Sequence, residues 1–397
     1  MFIYPLISAI LFPLWRGFAS NKSWIKKVES DRNWKCTAPI KGDVIWMHCA
    51  SLGEFEMGRP VLEKFLHQHS SWNAVVTFFS PSGYEPRKNY SRAKVHYLPL
   101  DTKSEADAWL AYCRPKVVLI IRYDIWLNHL NALRKNRIPL VLVAMSVSST
   151  PWYLSKWLPL IRKKVISTIH TWGVVNQKDA SILNQTGIRA SILGNPKYDY
   201  AAQLLNVAAP ITYLNWKMAQ TKPVLLVGSA HNQDIKFLSQ LNYSAYSIWI
   251  VPHKPEDLQN QSVLFPRLQV LKESDLPQEA DLLMITEFGI LSSLYSLADA
   301  IIIGGGFGKA THNVLEATVQ GKVVITGPHW QKVSENQSLI QHGYLRSSSS
   351  KQDWNDYLED AYKGLLIDKG KEAQKWLLKQ QGASEKILKK LEQAVQL

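Results

Sequence analysis

Short apolar runs recur along this chain with the length of buried strands. "DVIWMHC", "NAVVTFFS", "VHYLPL", "KVVLII", "PLVLVAMS", "TWGVVNQ" and "ASILGN" alternate with amphipathic, helix-like stretches or turns. Runs that are apolar almost throughout belong to strands buried on both faces, as in a parallel sheet covered by helices. A second series follows: "PVLLVGSA", "SIWIVPH", "LQVLK", "DLLMIT", "AIIIGGG" and "KVVITGP". The connector "NVAAPITYLNWKMAQTK", about residues 206–222, separates the two series. The pattern predicts an α/β chain of two doubly wound, Rossmann-like domains, 36–205 and 206–397, facing each other across a cleft. In such sheets ligands bind at the carboxyl ends of the strands. The closing stretch "KWLLKQQGASEKILKKLEQAVQL" reads as one or two amphipathic helices with solvated Lys and Glu faces.

Composition agrees with a folded chain. Hydrophobic residues make up 46% and charged residues 20% of its 397 positions, which excludes disorder. The three cysteines, Cys36, Cys49 and Cys113, lack CxxC spacing, so a disulfide framework and a zinc ribbon are excluded and a reducing compartment is expected. A net charge of +14 calls for an anionic partner: nucleic acid, a membrane surface or a phosphorylated substrate.

The first 35 residues help to choose. An apolar run of about fifteen residues, broken by Pro5 and Pro13, is short of the 20 or so that a spanning helix needs. Arg16, Lys22, Lys26 and Lys27 follow among Trp15, Phe18 and Trp24, the reverse of a signal peptide's order. This arrangement suits a segment lying on or dipping into an anionic leaflet from its cytoplasmic side; a buried terminal helix is the alternative.

Several stretches carry candidate chemistry. "HCASLGEFEMGRP" puts Glu54 just after an apolar run, among small residues, where it is either a reactive carboxylate or a charge complementing a helix dipole. "AIIIGGGFGKATHNVLEA" reads as strand, glycine-rich turn and helix start. It fails the P-loop pattern at Ile303 and Ala310, and Lys309 stands where the dinucleotide pattern needs its third glycine. Generic anion binding by Gly304, Gly305 and Gly306, or a tight structural turn, remains. His312, Asn313 and Glu316 share a helical spacing suited to a ribose; a cap by Thr311 or Asn313 with a solvated Glu316 is the alternative. No third ligand at a diagnostic spacing supports zinc there, so no metal is expected. Lys197, His253 and the pair Arg122 and Asp124 each stand at a strand end, as cleft groups or as solvated charges and a local salt bridge.

Taken together, "ASLGEFEMGRP", "FFSPSGYE", "YLPLD", "RPKVVLIIRYDIW", "LGNPKYD", "GSAH", "VPHKPE", "FGILSSLYSLADAIIIGGGFGKATHNVLEA" and "GKVVITGPHWQK" resemble the 3-deoxy-manno-octulosonic acid (Kdo) transferases of Gram-negative bacteria, over about residues 1–345. "GGGFGKATHN" looks like the Bacteroidetes branch. The resemblance implies a GT-B fold, inverting transfer of Kdo from CMP-Kdo to a lipid A precursor without a metal, and a place at the cytoplasmic face of the inner membrane. It makes Glu54 the general base and Lys197 an electrostatic clamp, with Gly53 and Arg59 on the acceptor side. It assigns CMP-Kdo to Ser229, Pro252, His253, Gly289, Ile290, Leu291, Gly305, Gly306, Lys309, Asn313, Val314, Leu315 and Glu316. Three departures stand out. His253 replaces an arginine, with Lys254 or Lys309 as compensation; Val314 replaces a proline; Arg122 replaces a glutamate, whose part Asp124 is placed to take. Arg59, Lys156, Arg162, Lys163 and Lys164 with the aromatic N-terminus imply a leaflet-facing surface, against plain solvated charge. The alternatives are a GT-B enzyme with a UDP-sugar donor and a basic nucleic-acid-binding protein, for which interleaved aromatic and basic strands are lacking.

Overall fold

A computed structural model describes residues 32–254, 269–271, 281–287 and 289–396. The chain folds as two compact units, residues 1–200 with 381–397 and residues 201–380. The segment expected at a membrane lies outside the described residues, apart from the 3-10 turn that begins at Arg32. No helix among the described residues is long and apolar enough to cross a membrane.

The first unit is built on seven parallel strands: β1 (Val44–Cys49), β2 (Asn73–Phe78), β3 (Lys94–Tyr97), β4 (Val117–Ile121), β5 (Leu140–Met145), β6 (Ile169–Val174) and β7 (Ser191–Ile192). Their order, β3-β2-β1-β4-β5-β6-β7, reverses at β1 and β4, the switch point where side chains from two βα turns converge. Alternation divides each strand between two cores. Trp46, Val118, Ile120 and Leu142 join Trp109 on one face, while Ile45, Met47, Leu119 and Val143 join Phe55 and Phe65 on the other. That second core includes α1 (Leu52–Gln68), which follows β1, and the closing helix Ala383–Val395, whose Ile387, Leu388 and Leu391 are buried. The closing helix therefore belongs to the first unit, although the chain pattern placed it with the second. Its start is fastened by Asp199 in α2 (Lys197–Gln203), whose carboxylate accepts the backbone N–H groups of Gly382, Ala383 and Ser384 at 3.1–3.3 Å.

The second unit carries β8 (Val224–Ala230), β9 (Ser247–Pro252), β10 (Gln269–Leu271), β11 (Leu282–Ile285), β12 (Ala300–Ile303), β13 (Val324–Thr326) and β14 (Leu345–Ser347), all parallel, in the order β10-β11-β9-β8-β12-β13-β14. Its switch point lies between β8 and β12. Around it stand α3 (Asn232–Leu238), α4 (Leu291–Leu294) and α5 (Leu315–Thr318). β14 was not among the expected strands: it has three residues, and Arg346 breaks the apolar run.

Candidate functional site

In the first unit the chain turns sharply from β1 into α1, with Ser51 extended before the helix and Glu54 in its first turn. One Glu54 oxygen accepts the Ala50 backbone N–H at 2.5 Å. The carboxylate is half-buried. Burial, and next the nearby Asp124, raise its pKa, against the Ala50 bond, His48 and Arg122. Beside it Gly53 is exposed, with no protein atom within 4 Å of where a side chain would begin. Room is therefore open beside this carboxylate. Burial, then Glu54 and Asp124, push the Cys49 thiol well up, which leaves it inert.

Asp124 is held from behind. Thr77 Oγ1 accepts the Trp46 indole N–H at 2.8 Å and lies 2.9 Å from His48 Nδ1, and His48 Nε2 lies 3.1 Å from Asp124. With Trp46 donating to it, the Thr77 hydroxyl hydrogen is available for Nδ1, so Nε2 carries its hydrogen toward Asp124. The local salt bridge between Arg122 and Asp124, the alternative to a cleft role, does not form. Arg122 instead has φ +75°, stands 5.9 Å over the Tyr123 ring and has no partner for its buried Nε. A non-glycine residue held at positive φ is uncommon and is kept there by the surrounding structure.

Glu56, the other carboxylate nearby, is committed to structure. Its Oε1 accepts Arg87 Nε and Nη2 at 3.0 and 2.6 Å, and Arg59 Nε lies 3.2 Å from its Oε2. Arg59 also lies over the Tyr200 ring. Lys197 opens α2, its backbone N–H bound to Asn195 Oδ1 at 3.1 Å.

The glycine-rich turn of the second unit departs from the expectation of free amides. A side chain on Gly304 would stand 2.4 Å from Ser229 O, on Gly305 2.5 Å from Ala310 O, and on Gly306 2.5 Å from Gly327 N. These glycines admit the protein's own backbone. The Gly305 and His231 N–H groups each reach Asp234 Oδ2 at 2.9 Å, and Phe307 N–H adds a third bond to that carboxylate. The turn's anion is thus Asp234, in the first turn of α3. Lys309 is exposed beyond it.

What the turn positions is the segment after it. His312 and Asn313 precede α5 rather than sharing its face; Asn313 Oδ1 accepts Leu315 N–H at 3.2 Å and its Nδ2 donates to Glu316 at 2.8 Å. Val314 and Leu315 are fully buried, as are Pro252 and Ile290 nearly so, and can offer a ligand only backbone. Gly289 requires its φ of +83°, and Ser229 takes φ +52° at the end of β8, as Arg122 does after β4. Three histidines meet here: His231 after β8, His253 after β9 and His312 after the turn, one ligand atom of each lying within 4.8 Å of the others. Burial, then His253 and His231, push the His312 pKa down to about 3, so its ring is neutral. Sequence spacing showed no third ligand near His312, and the fold brings His231 and His253 to it. His48, His231 and Asp234 were not among the foreseen site residues; only the position of His231 directly after an apolar strand hinted at one of them.

A model of the family described as 3-deoxy-D-manno-octulosonic-acid transferase (kdotransferase) matches residues 21–200. A 3-deoxy-D-manno-octulosonic acid transferase of Chlamydia muridarum is 26% identical over 349 residues, 83% of this chain and 80% of its own length. That of Haemophilus influenzae is 26% identical over 372 residues, 87% of this chain and 85% of its own. Residues 21–200 carry the domain of the Kdo transferase family, and the likeness to these relatives extends over most of the chain. A bifunctional glycosyltransferase/methyltransferase of Fusobacterium nucleatum is 24% identical over 83% of this chain, which spans about half, 54%, of that protein. Among solved structures, UDP-GlcNAc 2-epimerase from Neisseria meningitidis bound to UDP-GlcNAc has a TM-score of 0.58 and 17% identity, covering 89% of this chain and 100% of its own. HepE from Anabaena in complex with UDP-glucose has a TM-score of 0.57 and 13% identity, covering 89% and 100%. With two parallel sheets in the chain, these likenesses establish the GT-B fold.

Proposed function

We propose that this protein transfers Kdo, with inversion, from CMP-Kdo to the sugar hydroxyl of a lipid A precursor. The observation that carries the reading is Glu54: a half-buried carboxylate at the switch point, raised in pKa, with one backbone donor and open space at Gly53. Glu54 removes the proton of the attacking hydroxyl as the acceptor oxygen bonds to the anomeric carbon; the bond from that carbon to the CMP phosphate breaks and CMP departs. A raised pKa suits the role, because a base must accept a proton readily near neutral pH. Asp124 supplies part of that rise, and the line from Trp46 through Thr77 and His48 fixes Asp124 in place. Lys197 is the cation that the resemblance assigns to steady developing charge, and Asp124 is placed to take the part of the glutamate that Arg122 replaces.

The donor falls to the second unit, where Glu316, oriented by Asn313, accepts hydrogen bonds from ribose hydroxyls. The acceptor is met at an anionic leaflet. In support, Trp157 is 92% exposed and Leu160 60%, beside the exposed Lys156 and Lys163. Arg162 of the same stretch is taken up by Thr186 O. The test is to incubate purified protein with CMP-Kdo and a tetra-acylated lipid A precursor and weigh the product. A mass gain of one or more Kdo residues is expected, with inhibition by CMP and not UDP; inhibition by UDP alone, without Kdo transfer, would replace this reading with a UDP-sugar enzyme.

A further inference from the structure

We infer that His231, His253 and His312 form a binding site for a divalent transition-metal ion of the zinc class. The three imidazoles come from three separate elements: the turn after β8, the end of β9 and the segment before α5. One nitrogen of each lies within 4.8 Å of the other two, and His231 Nε2 and His312 Nε2 are 2.8 Å apart. Tetrahedral zinc with imidazole ligands spaces its nitrogens about 3.3 Å apart. That spacing lies between the 2.8 Å of the closest pair and the 4.8 Å within which the set falls.

The set is also held in place. Asp234 binds the His231 backbone and the Gly305 backbone with one carboxylate oxygen, locking the turn after β8 to the glycine-rich turn. His312 N–H donates to Gly304 O at 3.0 Å, and a side chain on Gly305 would come within 2.9 Å of the His312 ring. His253 N–H donates to Ala230 O at 2.9 Å, next to His231. The rings lie 4.5–5.0 Å apart centre to centre. A protonated ring at that spacing would repel its neighbours, whereas neutral imidazoles sharing one cation are attracted to it. Three nitrogen ligands leave a fourth position for water or an anion, the arrangement of an open zinc site, and zinc, cobalt, nickel and copper are the ions that nitrogen sets favour. The site belongs to the second unit alone and needs no transferase activity.

Tag-free, full-length protein should be stripped with dipicolinate, desalted, and titrated with Zn2+ by calorimetry and with Co2+ by visible absorption. We expect one equivalent per chain and the d–d bands of nitrogen-bound cobalt. His253→Gln and His312→Gln should each weaken binding by on the order of 100-fold or more, since even outer partners of ligands are worth 10–100-fold. His170→Gln, at an exposed histidine of β6, should leave it unchanged. His253 is exposed, so its replacement spares the core, and the melting temperature of each variant shows that it folds. Wild-type protein that takes up no ion, or variants that bind as tightly as wild type, would overturn the inference whatever the outcome of the transfer assay.

Discussion

Glu54 and Asp234 occupy the same place in two copies of one architecture. Each follows the first strand of its unit, at the switch point of the sheet, in the first turn of the next helix, and each reaches back to a backbone N–H at the turn. Burial raises the pKa of both. Their partners differ. Asp234 collects backbone donors from His231, Gly305 and Phe307, and Glu54 has Ala50 with another carboxylate close by. Position in the fold therefore does not decide between structure and chemistry; the number of donors does. A satisfied carboxylate fastens a turn, and an under-satisfied one near open space is ready to take a proton.

That contrast can be broken by experiment, starting with the largest effect. Glu54→Gln should cut transfer about 10²- to 10⁴-fold while leaving the fold and the donor affinity in place, and near-normal turnover would end its assignment as base. Asp234→Ala should instead act on folding, with a loss of about 1–3 kcal/mol read in urea melts, because buried backbone donors lose their acceptor. Glu316→Ala should weaken the donor by about 10- to 100-fold in titrations with CMP, the worth of one or two charge-assisted hydrogen bonds. An unchanged affinity removes it from the donor site.

Two smaller effects sharpen the same comparison through pH. Asp124 raises the Glu54 pKa and Arg122 lowers it, so Asp124→Asn should move the acid limb of kcat/KM to lower pH and Arg122→Gln to higher pH. Shifts of the same sign would disprove the electrostatic account. The fold holds the Glu54 pKa above its unfolded value, so this group's contribution to stability is full below the unfolded pKa and is lost as pH rises through the folded one. Glu54→Gln should accordingly melt on the order of 1 °C higher than wild type at neutral pH, with the gap closing in acid.

Most of the architecture was legible because buried parallel strands are apolar throughout. Strands β1 to β13 coincide with the runs that announced them, while β14 has too few residues and too polar a middle to stand out. The position of Glu54 was legible because its surroundings are local, a strand end, two small residues and a helix start, whereas its part as a base came from the resemblance alone. His48 with Asp124 and His231 with His312 were not, since 76 and 81 residues separate the members of each pair and only the sheet order brings them together. The glycine-rich turn shows the opposite failure. Its composition announced close approach, but Asp234, 71 residues before Gly305, supplies the anion.

The Asp199 fastening has a consequence for how the protein is made. A nascent chain emerging from the ribosome builds the first sheet early, yet the apolar trough meant for Ile387, Leu388 and Leu391 stays uncovered until about 180 further residues have been synthesised. During that interval the apolar face of the N-terminal half is without its helix, and its completion waits on the whole of the other half.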